Sequence, residues 1–356
     1  MDISHWHYLH GQPAWKATFK QFPADFQVTE ILGYDPLGEG EHIYLWVEKE
    51  NLNTAFVAEQ LAKFCKLPLR AISYAGRKDK YALTRQWFGV HKPGKIDYDW
   101  SQWQLEGVKV LKAIRHNKKL RTGVLKGNTF AITLREVELL AKPEIEKRLQ
   151  QIKVSGVPNY FGEQRFGSSK YAPQGANLVL AQKMIEGEEI RNRNKRSMAI
   201  SALRSWLFNE FIHARLTAGK FATPQQGDAM QLAGSHSFFI VEQVDETIQS
   251  RLKSGDIQIT APMWGKGELP SQFDVNVQEQ ALAGQHVQIC QALESLGLEQ
   301  ERRAIHLAPQ DMQWHWQDND LVLNFSLPSG AFATSVLREV FELITSGDGD
   351  NENSAE

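Results

Sequence analysis

The chain changes texture twice, and this constrains its fold more than any single motif. The first third alternates in the strand manner. "FQVTEIL" and "HIYLWVE" bracket a turn-rich "GYDPLGEGE", and "AISYAG", "QWFGVH" and "TFAITLREV" continue the pattern. One helix interrupts it, "NTAFVAEQLAKFCKLP", with Phe56, Val57, Leu61 and Phe64 on one face, an opening at Asn53 or Thr54 and a close before Pro68. Gly127-Asn128 reads as a turn ahead of the strand that follows. From about Val154 to Ala304 the sequence turns helical, with "NLVLAQKMIEG", "MAISALRSWLFNEFIHARL" and "QEQALAGQHVQICQALESLG" between Gly- and Pro-bearing loops. Strand character then returns in "LVLNFSL", followed by the turn "PSGAF" and a predicted helix, "ATSVLREVFELI". A sheet begun early and finished late requires the middle to leave it and come back. The expected fold is α+β: a sheet from residues 1–153 and 305–345, interrupted by a helix-rich insertion over 154–304. The acidic end, 346–356, reads as a disordered, solubilising tail.

At 356 residues the chain can bury two cores, and its 42% hydrophobic and 23% charged content is that of an ordinary globular protein. The net charge of −2 does not argue against a polyanionic partner, because local distribution decides phosphate binding. That distribution is lopsided. Between Val108 and Lys126 stand Lys109, Lys112, Arg115, Lys118, Lys119, Arg121 and Lys126 with no acid among them, and "RNRNKR" covers Arg191 to Arg196. Cys65 and Cys290, each in an apolar helical pattern, read as buried thiols of a cytosolic protein rather than a disulfide framework. No signal peptide is visible at the start, and no apolar run reaches the length of a membrane span. A soluble, cytoplasmic protein is expected.

No phosphate-cradling P-loop occurs, and "LGEGEH", acidic and set between strands, is wrong for a dinucleotide site. No C-x-x-C or H-E-x-x-H pair offers a metal site. His5, His7 and His10 lack a companion cluster and read as surface or packing residues, and His315, between Trp314 and Trp316, reads as strand. Neither a cofactor nor a metal is expected. What remains is Asp79, a single carboxylate among Arg77, Lys78, Lys80 and Arg85 on a turn. A solvated ion-pair cluster is the plain reading. The sharper one is that the cations gather a polyanion on which the carboxylate acts. Aromatics beside polar turns (Phe26, Phe130, the "PNYFGEQRFG" segment, Phe332) fit packing singly. Together with basic runs they fit base stacking and phosphate binding, each stack worth about 1–3 kcal/mol.

The motifs resemble a known family. "AGRKDKYALTRQ" is similar to the G-x-K-D-x-x-A-x-T-x-Q signature of the TruD family of tRNA pseudouridine synthases, filled by Gly76, Lys78, Asp79, Ala82, Thr84 and Gln86. In order along the chain, "KQFPADFQVTE", "KGNTF", "GVPNYFGEQRFG", "NKR" at 194 to 196 and "LPSGAFATSVLRE" resemble further family motifs, so the likeness spans roughly residues 8 to 340. It implies a pseudouridine-synthase catalytic domain with a mixed, mainly antiparallel sheet in 1–153 and 305–345, the latter its final strand and helix, with the family's own helix-rich α+β insertion domain between. It also implies isomerisation of the uridine at position thirteen of tRNA, with Asp79 as the catalytic aspartate, Lys20 paired with it, and Phe26, Asn128 and Phe332 lining the uridine pocket. Contacts to the RNA phosphates are expected from Arg77, Lys78, Lys118, Lys119, Arg121, Arg193, Lys195 and Arg196. The partner is tRNA, and the protein is expected to act as a monomer.

The chemistry suits those residue types. The reaction breaks N1–C1′, turns the uracil and rejoins it through C5, so nothing is oxidised, hydrolysed or phosphorylated. The target must leave its stack at a cost of a few kcal/mol. A carboxylate then serves as nucleophile at C1′ or C6, or as base at C2′, and in each it begins ionised. Two other readings stand beside this one. A non-catalytic RNA-binding protein would use the same basic and aromatic surface without needing Asp79. A glycosidase or nucleosidase usually needs two carboxylates at the bond, where the Asp79 loop offers one.

Overall fold

The computed structural model of the chain describes residues 1–94, 96–167, 172–235 and 237–345; the acidic tail expected at 346–356 lies outside them. Seven strands come first: β1 (Trp15–Phe19), β2 (Phe26–Ile31), β3 (His42–Glu50), β4 (Ile72–Tyr74), β5 (Leu83–His91), β6 (Val108–His116) and β7 (Gly127–Arg135). Helix α1 (Thr54–Cys65) lies between β3 and β4, and α2 (Lys142–Ser155) follows β7. The middle opens with β8 (Val157–Pro158), α3 (Glu163–Phe166), α4 (Ala176–Ile185) and the long α5 (Arg193–Thr217). It continues through β9 (Ala229–Leu232), β10 (Phe238–Ile240), α6 (Glu246–Lys253), β11 (Ile257–Met263), α7 (Phe273–Gln285), α8 (Val287–Ser295) and β12 (Glu301–Ala304). The chain then returns with β13 (His306–Leu307), β14 (Gln310–Gln317), β15 (Asp320–Pro328), α9 (Ala333–Leu337) and β16 (Phe341–Thr345).

Ten strands make one mixed sheet in the order β14-β15-β7-β2-β5-β3-β6, with β4 beside β5 and β1 between β7 and β16. Among the described residues of this sheet, β2 with β5 and β1 with β16 run parallel and the other pairs antiparallel. The fold is therefore α+β with a mixed, mainly antiparallel sheet. Strand β15 lies against β7 from Leu321↔Leu134 to Pro328↔Gly127, so the late sequence does complete the early sheet. Alternation sets that register. Leu321, Leu323, Phe325 and Leu327 face the same core as Phe130, Ile132 and Leu134, closed by Ile145, Leu149 and Ile152 of α2. Helix α1 builds a second core on β3 and β5. The helical middle has a third, around Leu203, Leu207, Phe208 and Phe211 of α5, joined by Trp6 from the start of the chain. A separate four-stranded sheet, β10-β9-β11-β12, packs there.

Several sequence expectations are corrected. Helix α1 buries Val57, Ala58, Leu61, Ala62 and Cys65, while Phe56 is 40% exposed, because small residues let the helix sit close on the sheet. Gly127 and Asn128 belong to β7 rather than a turn. A Cβ on Gly127 would lie 2.3 Å from the Leu327 carbonyl oxygen, so the glycine permits close strand approach. The helix expected over "QEQALAGQHVQICQALESLG" breaks at His286 into α7 and α8. The last predicted helix is five residues long, and Phe341 onward forms β16, because the open edge of β1 offers a parallel partner in register Trp15↔Phe341. The final segment thus holds more strands than the one expected.

Cys65 and Cys290 are buried free thiols, each pushed up to about 12 by burial. His5 and His7 pack edge-on against His213 of α5, and His10 Nε2 lies 2.8 Å from the Gly156 carbonyl. His315 sits in β14. Among the described residues no helix is long and apolar enough to cross a membrane.

Candidate active site

The turn between β4 and β5 carries Asp79, and the motif residues around it build its scaffold. Thr54, the buried first residue of α1, accepts from the Lys78 backbone N–H at 3.0 Å and donates to Gln86 Oε1 at 3.0 Å. Gln86 Nε2 donates in turn to the Gly76 carbonyl at 3.3 Å. The Lys78 side chain turns inward. Its Nζ pairs with Oε1 of the buried Glu30 at 2.7 Å, and Glu30 Oε2 accepts from the Trp87 N–H at 2.8 Å. Burial pushes the Glu30 carboxyl up, and Lys78 offsets that only in part. Below the turn, Lys49 is fully buried and its Nζ donates to the Asp79 carbonyl at 2.9 Å. Burial brings that ammonium down to about 8, against the pull of Asp79.

The Asp79 carboxylate itself stays about a quarter exposed, at 24%. Its Oδ2 lies 3.6 Å from Lys20 Nζ, and its Oδ1 accepts from Gln164 Nε2 at 2.7 Å. Burial pushes the carboxyl up, but Lys20, the Gln164 amide and Lys49 outweigh it and leave it below the usual carboxylate range. Lys20 reaches this position from a left-handed backbone, φ 57°, uncommon for a non-glycine residue. That geometry holds its ammonium 4.3 Å above the centre of the Phe26 ring.

The middle of the chain supplies Gln164. Its segment is pinned from two sides: Asn209 of α5 bonds both the Phe161 N–H and carbonyl at 2.9 Å, and Ser335 of α9 donates to the Tyr160 carbonyl at 2.6 Å. Phe332, the residue before α9, is partly buried with its ring 5.6 Å from that of Phe161. Asn128 stands on β7 opposite Glu30 and Leu327, and its Oδ1 is buried without a hydrogen-bond partner among the described residues.

Sequence expectations are met unevenly. Asp79 and Lys20 come together. Phe26 is 4% exposed with Lys20 over its ring, so it is a floor beneath the ion pair and not an open stacking face. Lys78 is committed to Glu30, so it is not a free phosphate contact. Arg77 is exposed on the turn. Arg115 of the basic run pairs with Asp97, and Lys109 and Lys112 lie on the exposed edge strand β6, where cations also guard against strand pairing. Lys118, Lys119 and Arg121 are exposed in the loop after it, with Lys119 and Arg121 lining a groove against Ala58, Glu59 and Tyr74. Arg193, Lys195 and Arg196 occupy the exposed first turn of α5, where the helix N-terminus adds positive potential. Sequence reasoning gave no role to Glu30, Lys49, Thr54 or Gln164. Lys49 had a readable signal, since it continues the inward series Ile43, Leu45, Val47 at period two.

The family model for tRNA pseudouridine synthase D (TruD) matches residues 2–188 and 189–340. A protein of Pseudoalteromonas atlantica named tRNA pseudouridine synthase D is 58% identical over 352 residues, covering 99% of this chain and all of that one. Its namesake in Aeromonas salmonicida is 46% identical over 335 residues, covering 94% and 93%. A crystal structure from Methanosarcina mazei, described under the same TruD name, superposes with a TM-score of 0.71 over 94% of this chain and 95% of that one. At 21% identity, that likeness concerns the fold alone.

Proposed function

Since the chain belongs to the tRNA pseudouridine synthase D family, we propose that it isomerises the uridine at position thirteen of tRNA to pseudouridine, with Asp79 acting on a nucleotide swung out of its stack. The observation that carries this reading is the Asp79 carboxylate, kept ionised between Lys20 and Gln164 while burial pushes the other way. An ionised carboxylate is the common starting point for attack at C1′, attack at C6 or removal of the C2′ proton. Lys20 holds that charge in place. Asn128 Oδ1 is an acceptor in want of a donor, and the uracil N3–H is one. Phe332 replaces the lost stacking, a role that Phe26 cannot share beneath Lys20. Arg77, Lys118, Lys119, Arg121, Arg193, Lys195 and Arg196 attract flanking phosphates from exposed positions.

In this reading residues 1–153 and 305–345 form the catalytic domain, and the insertion over 154–304 reaches back to it through Gln164. The enzyme works in the cytoplasm as a monomer and needs no cofactor. Mapping pseudouridine in tRNA from cells with and without the protein tests the proposal, together with purified protein acting on unmodified tRNA. Loss of position-thirteen pseudouridine and its return in vitro are expected. Retained modification in the deleted cells, with no product in vitro, would overturn it.

A further inference from the structure

Arg165 on α3 and Arg303 on β12 bring two guanidinium groups against one aromatic ring. Their central carbons lie 5.3 and 4.3 Å from the centre of Phe161, and that of Arg165 is also 5.5 Å from the centre of Phe332. Arg165 Nη1 donates to Ser201 Oγ at 2.9 Å, and Arg303 Nη2 donates to Asn159 Oδ1 at 3.0 Å and to the Gly330 carbonyl at 2.9 Å. All of these partners are neutral. Among the described residues neither arginine pairs with a carboxylate, and Arg303 Nε is buried with no partner at all. Burial lowers both guanidinium groups, and Arg303, with Arg165 repelling it, comes down to about 10.

The neighbouring arginine makes the contrast. Arg302, one residue away on the same strand, is clamped by both oxygens of Glu279 at 2.9 Å. Among the described residues Arg302 therefore has a carboxylate of its own, while Arg303 has none, the nearby Glu301 being paired with Arg204. Two like charges drawn partly out of water without an acid are costly, and an anionic ligand removes that cost. A planar guanidinium presents parallel N–H groups at the spacing of two phosphate oxygens. Position narrows the ligand further: Arg165 follows directly on Gln164, which holds Asp79, and lies over Phe332.

We propose that Arg165 and Arg303 together bind one phosphodiester of the RNA backbone, adjoining the nucleotide presented to Asp79. The site deepens the proposed function and rests on it. Arg165→Met and Arg303→Met, measured for tRNA binding across a salt series, should each weaken binding about tenfold near physiological salt, and the two together, which lose the one shared phosphate contact, should flatten the salt slope by about one unit. Neither should lower the melting temperature, since each removes one of two repelling charges. Arg165→Lys should keep the slope while losing part of the affinity. Arg165→Met carries the test alone if Arg303→Met fails to fold. Unchanged affinity and slope in folded variants would overturn the site. So would a lowered melting temperature with unchanged affinity per folded molecule, since the arginines would then only be packing on Phe161. Pseudouridine formation by the unaltered protein is scored in the same samples. Its absence would remove the proposed function beneath this inference, whereas its presence with unchanged binding removes the arginine site alone.

Discussion

Two charged neighbourhoods lie within a few residues of one another and are built on opposite rules. Around Asp79 three cations have answering oxygens, with Arg77 left exposed beside them: Lys20 has the Asp79 carboxylate, Lys78 has Glu30, and Lys49 has the Asp79 carbonyl. Around Phe161 the two guanidinium groups of Arg165 and Arg303 have, among the described residues, neutral partners alone. The first neighbourhood is complete in the free protein, so its charges hold geometry. The second is left open, which is how a surface would be built to receive a charge from outside. Being basic is therefore a poor guide to function in this chain. The useful question is whether a cation already has its anion.

Breaking the closed neighbourhood should have the largest effects. Asp79→Asn keeps the volume and removes the charge, so single-turnover pseudouridine formation should fall by about 10²–10⁴-fold, with tRNA affinity changed only several-fold. In the unaltered enzyme that rate should persist on acidification until pH falls through the lowered Asp79 value, below the usual carboxylate range. A variant retaining more than a tenth of the rate would remove Asp79 from the chemistry. Next comes Glu30→Gln, which strands the Lys78 ammonium in the interior. Thermal or urea unfolding should register a loss of about 3–5 kcal/mol, and Lys78→Met in the same chain should recover most of it. No recovery would show that Glu30 matters for something other than Lys78.

Phe332 sharpens the comparison on the open side. If it stacks on the uracil, Phe332→Ala should cost about 1–3 kcal/mol of productive binding, partly restored by Phe332→Trp. A melting loss of about 3–5 kcal/mol with an unchanged rate per folded molecule would class it with the core instead. The smallest effect belongs to Lys49. Deprotonation near pH 8 takes the charge off the group that holds the Asp79 carbonyl and supports its carboxylate, so the rate should decline above about 8 in the unaltered enzyme. Lys49→Met should be slower and lack that decline. Stability runs the other way. Between about 8 and the ordinary lysine value of 10.5 the unfolded chain holds the extra proton, so stability relative to Lys49→Met should rise with pH. A rate loss accompanied by unfolding would mean that the ammonium serves the fold and not the turn.

The contrast also marks what the sequence could disclose. Alternation located β2, β3, β4, β5, β7 and β15 but not β1, β6 or β16, and the ordered motifs pointed to Asp79 and Lys20, because both signals are local. Partnership is not local. Lys78 reads as one cation among several until β2 brings Glu30 beneath it, and Phe26 reads as an available aromatic until the left-handed backbone at Lys20 lays an ammonium over its ring. Phe341 onward reads as helix because Leu, Val and Phe suit either period over so short a run. Only the waiting edge of β1 decides for strand. Gln164 stood in a quoted motif, yet nothing in its neighbours indicates that it reaches a loop 85 residues earlier.

The pairing of β1 with β16 has a consequence in time. Phe19 ends one strand and Phe341 begins the other, so at ordinary translation speeds the first waits on the order of half a minute for the second. Over most of that interval β7 also lacks β15, leaving Phe130, Ile132 and Leu134 on an unfinished sheet edge open to other nascent chains. The residues that hold Asp79 in its turn have all emerged by Trp87, but Gln164 follows much later and Phe332 almost last. A half-made molecule thus carries the Asp79 turn without the groups from later in the chain that close around it, and the ribosome completes the site only near the end of synthesis.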